Sequence, residues 1–302
     1  MMAAEFGRLV TAMVTPMTAS REVNYDACAE LARALIASGT EGLVVTGTTG
    51  EGPTLSAEEK VRTWETVKQA VGPDVAVIAG ATDNDTALSI EMAREAERAG
   101  CDGILLTVPS YNKPPQEGLF RHFTAIAEAT SLPGLLYNVP SRTALNMSAE
   151  TTVRLSAAPN IVGVKEASGD LAQIARIIEG AEPGFRVWSG NDGDTLPVLG
   201  LGGYGVVSVV AHLVGRQLRE MIAAAVEGAN ERAAEIHRRL LPLVDAMFVE
   251  SSPIPTKFAL NEIGFPAGEA RLPLVPASEA GAASIRAEMA RHQMDLPVAV
   301  GG

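Results

Sequence analysis

The chain has 302 residues, 47% hydrophobic and 20% charged, enough to bury a large core and typical of a globular protein. No stretch approaches the roughly 18 consecutive apolar residues of a membrane helix, and the first ten residues lack the basic start and apolar core of a secretory signal, so a cytoplasmic protein with no membrane partner is expected. Twenty-four basic against thirty-six acidic residues leave a net charge of -12, which repels polyphosphate and argues against nucleic acid as a partner.

Short β-rich runs alternate with helical patterns from the start to about residue 225. The strand-like runs fall at 9–15, 42–46, 75–79, 103–108, 134–138, 161–165, 185–188 and 205–210. Several are continuously apolar, as expected of parallel strands buried on both faces. Helical patterns fall between them, among others at 25–37, 57–71, 86–99, 117–129 and 171–179. Ser56 with Glu59 reads as a capping box, and Asp85 and Asp170 read as N-caps. Gly39, Gly72, Gly100 and Gly180 stand where a helix would close on a left-handed residue.

Eight β-loop-α units joined by right-handed crossovers fit an α/β protein built as a TIM (β/α)8 barrel over residues 1–225. A doubly wound open sheet is the competing architecture, disfavoured by the strand count and by the lack of G-x-G-x-x-G after the first strand. Beyond residue 226 the strands stop. Helical patterns at 231–248, 256–262 and 278–292, separated by several prolines, predict a small C-terminal helical appendix over 226–302.

Barrel chemistry sits at the carboxyl ends of the strands. After the second strand, Thr46-Gly47-Thr48-Thr49-Gly50-Glu51-Gly52 offers free amides and hydroxyls suited to cradling an anion, although a purely structural turn explains the glycines equally well. After the fifth comes Tyr137-Asn138-Val139-Pro140-Ser141-Arg142-Thr143, a proton donor and acceptor beside a guanidinium that can fork onto a carboxylate.

The sixth strand ends in Lys165, the one lysine of five at a strand end; Lys60 and Lys68 lie on a helix, Lys113 in a loop and Lys257 in the appendix. An amine emerging from an apolar strand is desolvated, so its neutral form becomes available to attack a carbonyl. An ion pair with a barrel carboxylate is the alternative. Of the four histidines only His212 lies near a strand end, with no H-x-H or H-E-x-x-H spacing, so no metal site is expected. G-x-S-x-G is also missing, which leaves a hydrolase triad without a starting point. Cys28 and Cys101 are far apart and outside any C-x-x-C, and read as small buried apolar residues.

Taken together, Gly47-Thr48-Thr49-Gly50-Glu51, the segment from Tyr137 to Thr143, Val164-Lys165-Glu166-Ala167 and Ser189-Gly190-Asn191-Asp192 closely resemble the dihydrodipicolinate synthase family. The likeness extends over nearly the whole chain, including Val14-Thr15-Pro16 and Phe248-Val249-Glu250. N-acetylneuraminate lyase and 2-keto-3-deoxy-sugar aldolases share the barrel, the lysine and the tyrosine, so another pyruvate-dependent aldolase is the alternative. Arg142 looks like the synthase branch, where this arginine holds the carboxylate of L-aspartate 4-semialdehyde.

The resemblance implies condensation of that aldehyde with pyruvate through an imine on Lys165, on the way to diaminopimelate and lysine, with no cofactor and no metal. It implies proton transfer by Tyr137, helped by Thr48 and by Tyr111, which in the family reaches into the neighbouring subunit of a homotetramer built as a dimer of dimers. Thr49 would hold the pyruvate carboxylate with Thr48, while Gly190 and Val207 would add main-chain and wall contacts; simple core packing also accounts for Val207. Lysine-inhibited family members carry a glutamate and a tyrosine where Leu88 and Ser110 stand here, so weak or absent lysine feedback is expected, since an ammonium leaving water needs an anionic partner.

Overall fold

Eight parallel strands close on themselves in sequence order: β1 (Leu9–Ala12), β2 (Gly42–Val45), β3 (Ala76–Ala79), β4 (Gly103–Thr107), β5 (Gly134–Asn138), β6 (Ile161–Glu166), β7 (Arg186–Ser189) and β8 (Gly205–Ser208), with β8 pairing back onto β1. The structure, a computed structural model, describes residues 6–297. The closed ring leaves no sheet edge and confirms the TIM barrel over the open sheet. Among the described residues, no helix is long and apolar enough to cross a membrane.

Between the strands run α1 (Tyr25–Ala37), α2 (Ala57–Val71), α3 (Thr86–Arg98), α4 (Gln116–Glu128), α5 (Pro140–Thr143), α6 (Ala149–Ser156), α7 (Leu171–Gly180) and α8 (Thr195–Gly200). Several of their starts are fixed by side-chain caps. Ser56 accepts from the Glu59 amide at 3.1 Å while Glu59 accepts from the Ser56 amide at 2.9 Å, and Asp85 and Asp170 accept from Leu88 and Gln173. Gly39, Gly72 and Gly100 take positive φ at helix ends. Gly180 does not: it is the last helical residue of α7, and the chain leaves extended at Ala181.

Helix α9 (Ala211–Val226) follows β8, and α10 (Asn230–Ala246), α11 (Ile254–Glu262) and α12 (Glu279–Met289) come after it. Leu213, Leu218, Met221, Ile236, Leu240, Leu243 and Ile285 bury one shared apolar surface across α9, α10 and α12. A second cluster fills the space between the barrel and its helices, with Leu31, Leu43, Val77, Ile104, Phe123, Leu136, Val164 and Ile177. A third holds Val10, Val44, Ile78, Leu105, Leu135, Tyr137, Trp188 and Val207, the inward-facing layers of the barrel.

Candidate active site

Residues i and i+2 of a strand share a face, so the side of β6 that carries Gly163 also carries Lys165. Lys165 pairs in register with Tyr137 of β5 on one side and Trp188 of β7 on the other, both of the inward-facing cluster. Gly163 is needed there because a Cβ would lie 2.6 Å from the Trp188 ring.

The Lys165 Nζ sits 4.2 Å from the centroid of the Tyr137 ring, and both residues are only 5% exposed. Among the described residues the lysines that form ion pairs are Lys68, with Asp102, and Lys257, with Glu51; Lys165 has no carboxylate partner. This removes the ion-pair alternative. Burial lowers the Lys165 ammonium to about 8, against the pull of the nearby Asp192 charge and with a smaller push from Arg142. Burial likewise pushes the Tyr137 phenol up to about 12, partly opposed by Arg142, so it stays protonated and able to donate.

Asp192 joins the site although its position in the sequence alone points to no role. It lies just past β7, buried, and accepts from the Ser208 hydroxyl and from the amides of Val209 at 2.9 Å and Val210 at 3.2 Å. Burial raises its carboxyl while these bonds and Lys165 oppose the rise. An acid in the turn after a barrel strand, past Gly190 and Asn191, is the available signal. Glu166, beside Lys165, is similarly buried and accepts from both the Asn138 amide group at 3.1 Å and the Ser168 amide at 2.8 Å, tying β5 to β6.

Thr48 and Arg142 line a cavity of about 310 Å³ together with Gly47, Pro53, Lys60 and Val139; Lys165 and Tyr137 are outside its lining. The exposed Arg142 is carried on α5, which Pro140 opens, and Thr49 is buried beside Thr48. Gly190 donates its amide to the Glu166 carbonyl at 2.7 Å, and Val207 is buried within the inward-facing cluster that contains Tyr137. Tyr111 is apart from these. It stands 92% exposed at positive φ (67°) between β4 and α4, in the position of a side chain offered outward.

His212 has a structural explanation: its Nδ1 donates to the Val209 carbonyl at 2.7 Å and its Nε2 accepts from the Val14 amide at 3.1 Å, and burial lowers it to about 4, so it is neutral. Cys28 and Cys101 are buried free thiols, raised to about 12 by burial.

Residues 5–291 match the model of the dihydrodipicolinate synthetase family. The chain belongs to this family. Among family members, 4-hydroxy-tetrahydrodipicolinate synthase of Symbiobacterium thermophilum is 56% identical over 94% of this chain and 97% of its own. The enzyme of the same name from Dehalococcoides mccartyi is 54% identical over 97% of this chain and 99% of its own. A crystal structure of the Cyanidioschyzon merolae family member with lysine bound superposes with a TM-score of 0.93 at 45% identity, covering 95% of this chain and 98% of the other.

Proposed function

We propose that this chain is a 4-hydroxy-tetrahydrodipicolinate synthase that condenses pyruvate with L-aspartate 4-semialdehyde through a Schiff base on Lys165. The buried, carboxylate-free Lys165 amine held 4.2 Å from the Tyr137 ring carries the Schiff base, and Arg142 lining one cavity with Thr48 favours the synthase over other pyruvate aldolases. The neutral amine attacks C2 of pyruvate, water leaves, and the protonated imine draws electrons as a C3 proton departs. The resulting enamine attacks the aldehyde carbon; the amino group of the condensed product then displaces Lys165 and closes the ring, which returns the free amine. The sequence requires no cofactor.

Tyr137 moves protons in these steps with Thr48, and Thr48 and Thr49 hold the pyruvate carboxylate through amides and hydroxyls. Gly190 and Val207 complete the wall. Arg142, exposed and lining the same cavity as Thr48, holds the semialdehyde carboxylate as a fork. The outward, positive-φ placement of Tyr111 supports its use by a neighbouring copy, in a homotetramer arranged as a dimer of dimers. The cytoplasm is the compartment in which we place it.

Intact mass spectrometry after borohydride reduction with pyruvate, on wild type and Lys165→Ala, tests the assignment together with a semialdehyde condensation assay. A pyruvate-sized adduct lost in the variant, with condensation in the wild type, is expected. An adduct without condensation would replace the synthase with another pyruvate aldolase; no wild-type adduct would remove the Schiff base.

A further inference from the structure

The loop that carries Thr48 and Thr49 is held in an unfavourable backbone shape from outside the barrel. Thr46 and Glu51 both adopt left-handed φ, at 56° and 58°, which costs free energy for residues with a Cβ. Gly50 and Gly52 allow the chain to fold tightly on itself: a Cβ on Gly52 would lie 2.3 Å from the Thr46 carbonyl oxygen. Inside the loop the Glu51 amide donates to the Thr48 carbonyl at 3.1 Å and the Gly52 amide to that of Gly47 at 3.0 Å. Displacing Glu51 therefore displaces Thr48.

The anchors of Glu51 come from the far end of the chain. Its carboxylate pairs with Lys257 of α11 at 2.5 Å, with the two side chains 1% and 3% exposed, and accepts from the Arg271 amide at 2.7 Å. Lys257 also donates to the Glu269 carbonyl at 3.1 Å, while the Arg271 guanidinium binds the Thr54 carbonyl at 2.9 Å and both oxygens of Glu59. A buried ion pair adds little net stability relative to an apolar pair of similar size. Its geometric effect here is specific, because Lys257 and Arg271 together hold Glu51, Thr54 and Glu59, while the Glu269 and Arg21 carbonyls fix the two cations themselves.

We infer that Lys257 and Glu51 are positioning residues for substrate binding: the α11 segment sets the cradle formed by Thr48 and Thr49, and so the affinity for the small carboxylate bound there. The inference rests on the assignment of that cradle to pyruvate. Neither residue touches the reacting atoms; both act through the backbone of Thr48.

The test is the pyruvate concentration that half-saturates the borohydride-trapped adduct, measured in wild type, Lys257→Met and the double variant Glu51→Gln/Lys257→Met. The double variant removes both buried charges and leaves position 51 able to accept from Arg271, so it folds even if Lys257→Met does not. A rise of roughly tenfold or more is expected, the scale of one misplaced hydrogen bond to a charged group, with the KM for the semialdehyde and the adduct yield at saturating pyruvate unchanged. Arg286→Ala, which breaks an exposed pair with Glu262 between α12 and α11, serves as a control for general loosening and should leave the value at wild type. Half-saturation unchanged in a folded double variant would overturn the inference, as would an equal rise in Arg286→Ala. A wild type without adduct would instead overturn the Schiff-base assignment, and this inference with it.

Discussion

The lowered Lys165 ammonium makes a quantitative prediction about pH. At pH 7 a lysine at its ordinary value of 10.5 is neutral in roughly 0.03% of molecules, whereas one at about 8 is neutral in roughly 10%, a gain of about 300-fold in the attacking form. The rate of adduct formation at limiting pyruvate should therefore climb tenfold per pH unit and level off near pH 8. Asp192→Asn removes the charge that favours the ammonium, so its limb should move to lower pH; Arg142→Ala removes a charge that opposes it, so its limb should move to higher pH.

Linkage gives an independent reading of the same shift. The folded value lies below the unfolded one, so the buried charge opposes folding in full below about 8 and the penalty fades as pH rises toward 10.5. Lys165→Met should accordingly gain on the order of 3 kcal/mol at pH 7, with the gain shrinking above about pH 8, in urea unfolding across that range. A wild-type limb centred near 10 would refute the desolvation argument, and one that stays in place in Asp192→Asn would refute the pull assigned to Asp192.

Three further outcomes are expected. Arg142→Lys, which keeps the charge and loses the fork, should lower kcat/KM for the semialdehyde by roughly 10- to 100-fold while pyruvate adduct formation persists; steady-state kinetics with each substrate varied checks this. Tyr111→Phe should reduce kcat by roughly 100-fold yet shift unfolding by less than about 0.5 kcal/mol, because it keeps the ring and removes only the hydroxyl. L-Lysine at sub-millimolar concentration should leave the condensation rate unchanged, since Leu88 is 43% exposed and apolar and Ser110 is tied to Asn84, with an amide-to-Oδ1 distance of 2.9 Å; inhibition in that range would refute the expectation.

The barrel was legible because all eight strands stand out as short β-rich runs, several of them continuously apolar, and most of their helices carry capping signals. What escaped was local. Helix α6 begins at a proper cap, Ser148, but its Thr151, Thr152 and Val153 are β-branched and weigh against a helix. Helix α8 has six residues and contains Pro197, and α9 follows β8 closely with no side-chain cap and a kink at Val214. The first strand, expected over 9–15, leaves the ladder after Ala12, although the Met13 amide still reaches the Val44 carbonyl at 3.0 Å. At the site, Lys165 could be found because lysine is rare here and this one ends a strand. Asp192 and Lys257 could not be assigned, because their importance lies in what the fold brings near them across long sequence separations.

The pairing of Glu51 with Lys257 spans 206 residues, and this fixes an order of events during synthesis. Chain growth is vectorial, and all eight strands, ending at Ser208, leave the ribosome before Lys257 does. A nascent barrel can thus close while the turn after β2 still lacks its cation. Only when α11 and the stretch through Arg271 arrive does Glu51 gain the partners that make its burial tolerable. Support of the substrate loop is consequently acquired after the barrel strands, and a chain cut short before Lys257 would keep every strand and Lys165 itself while losing that support.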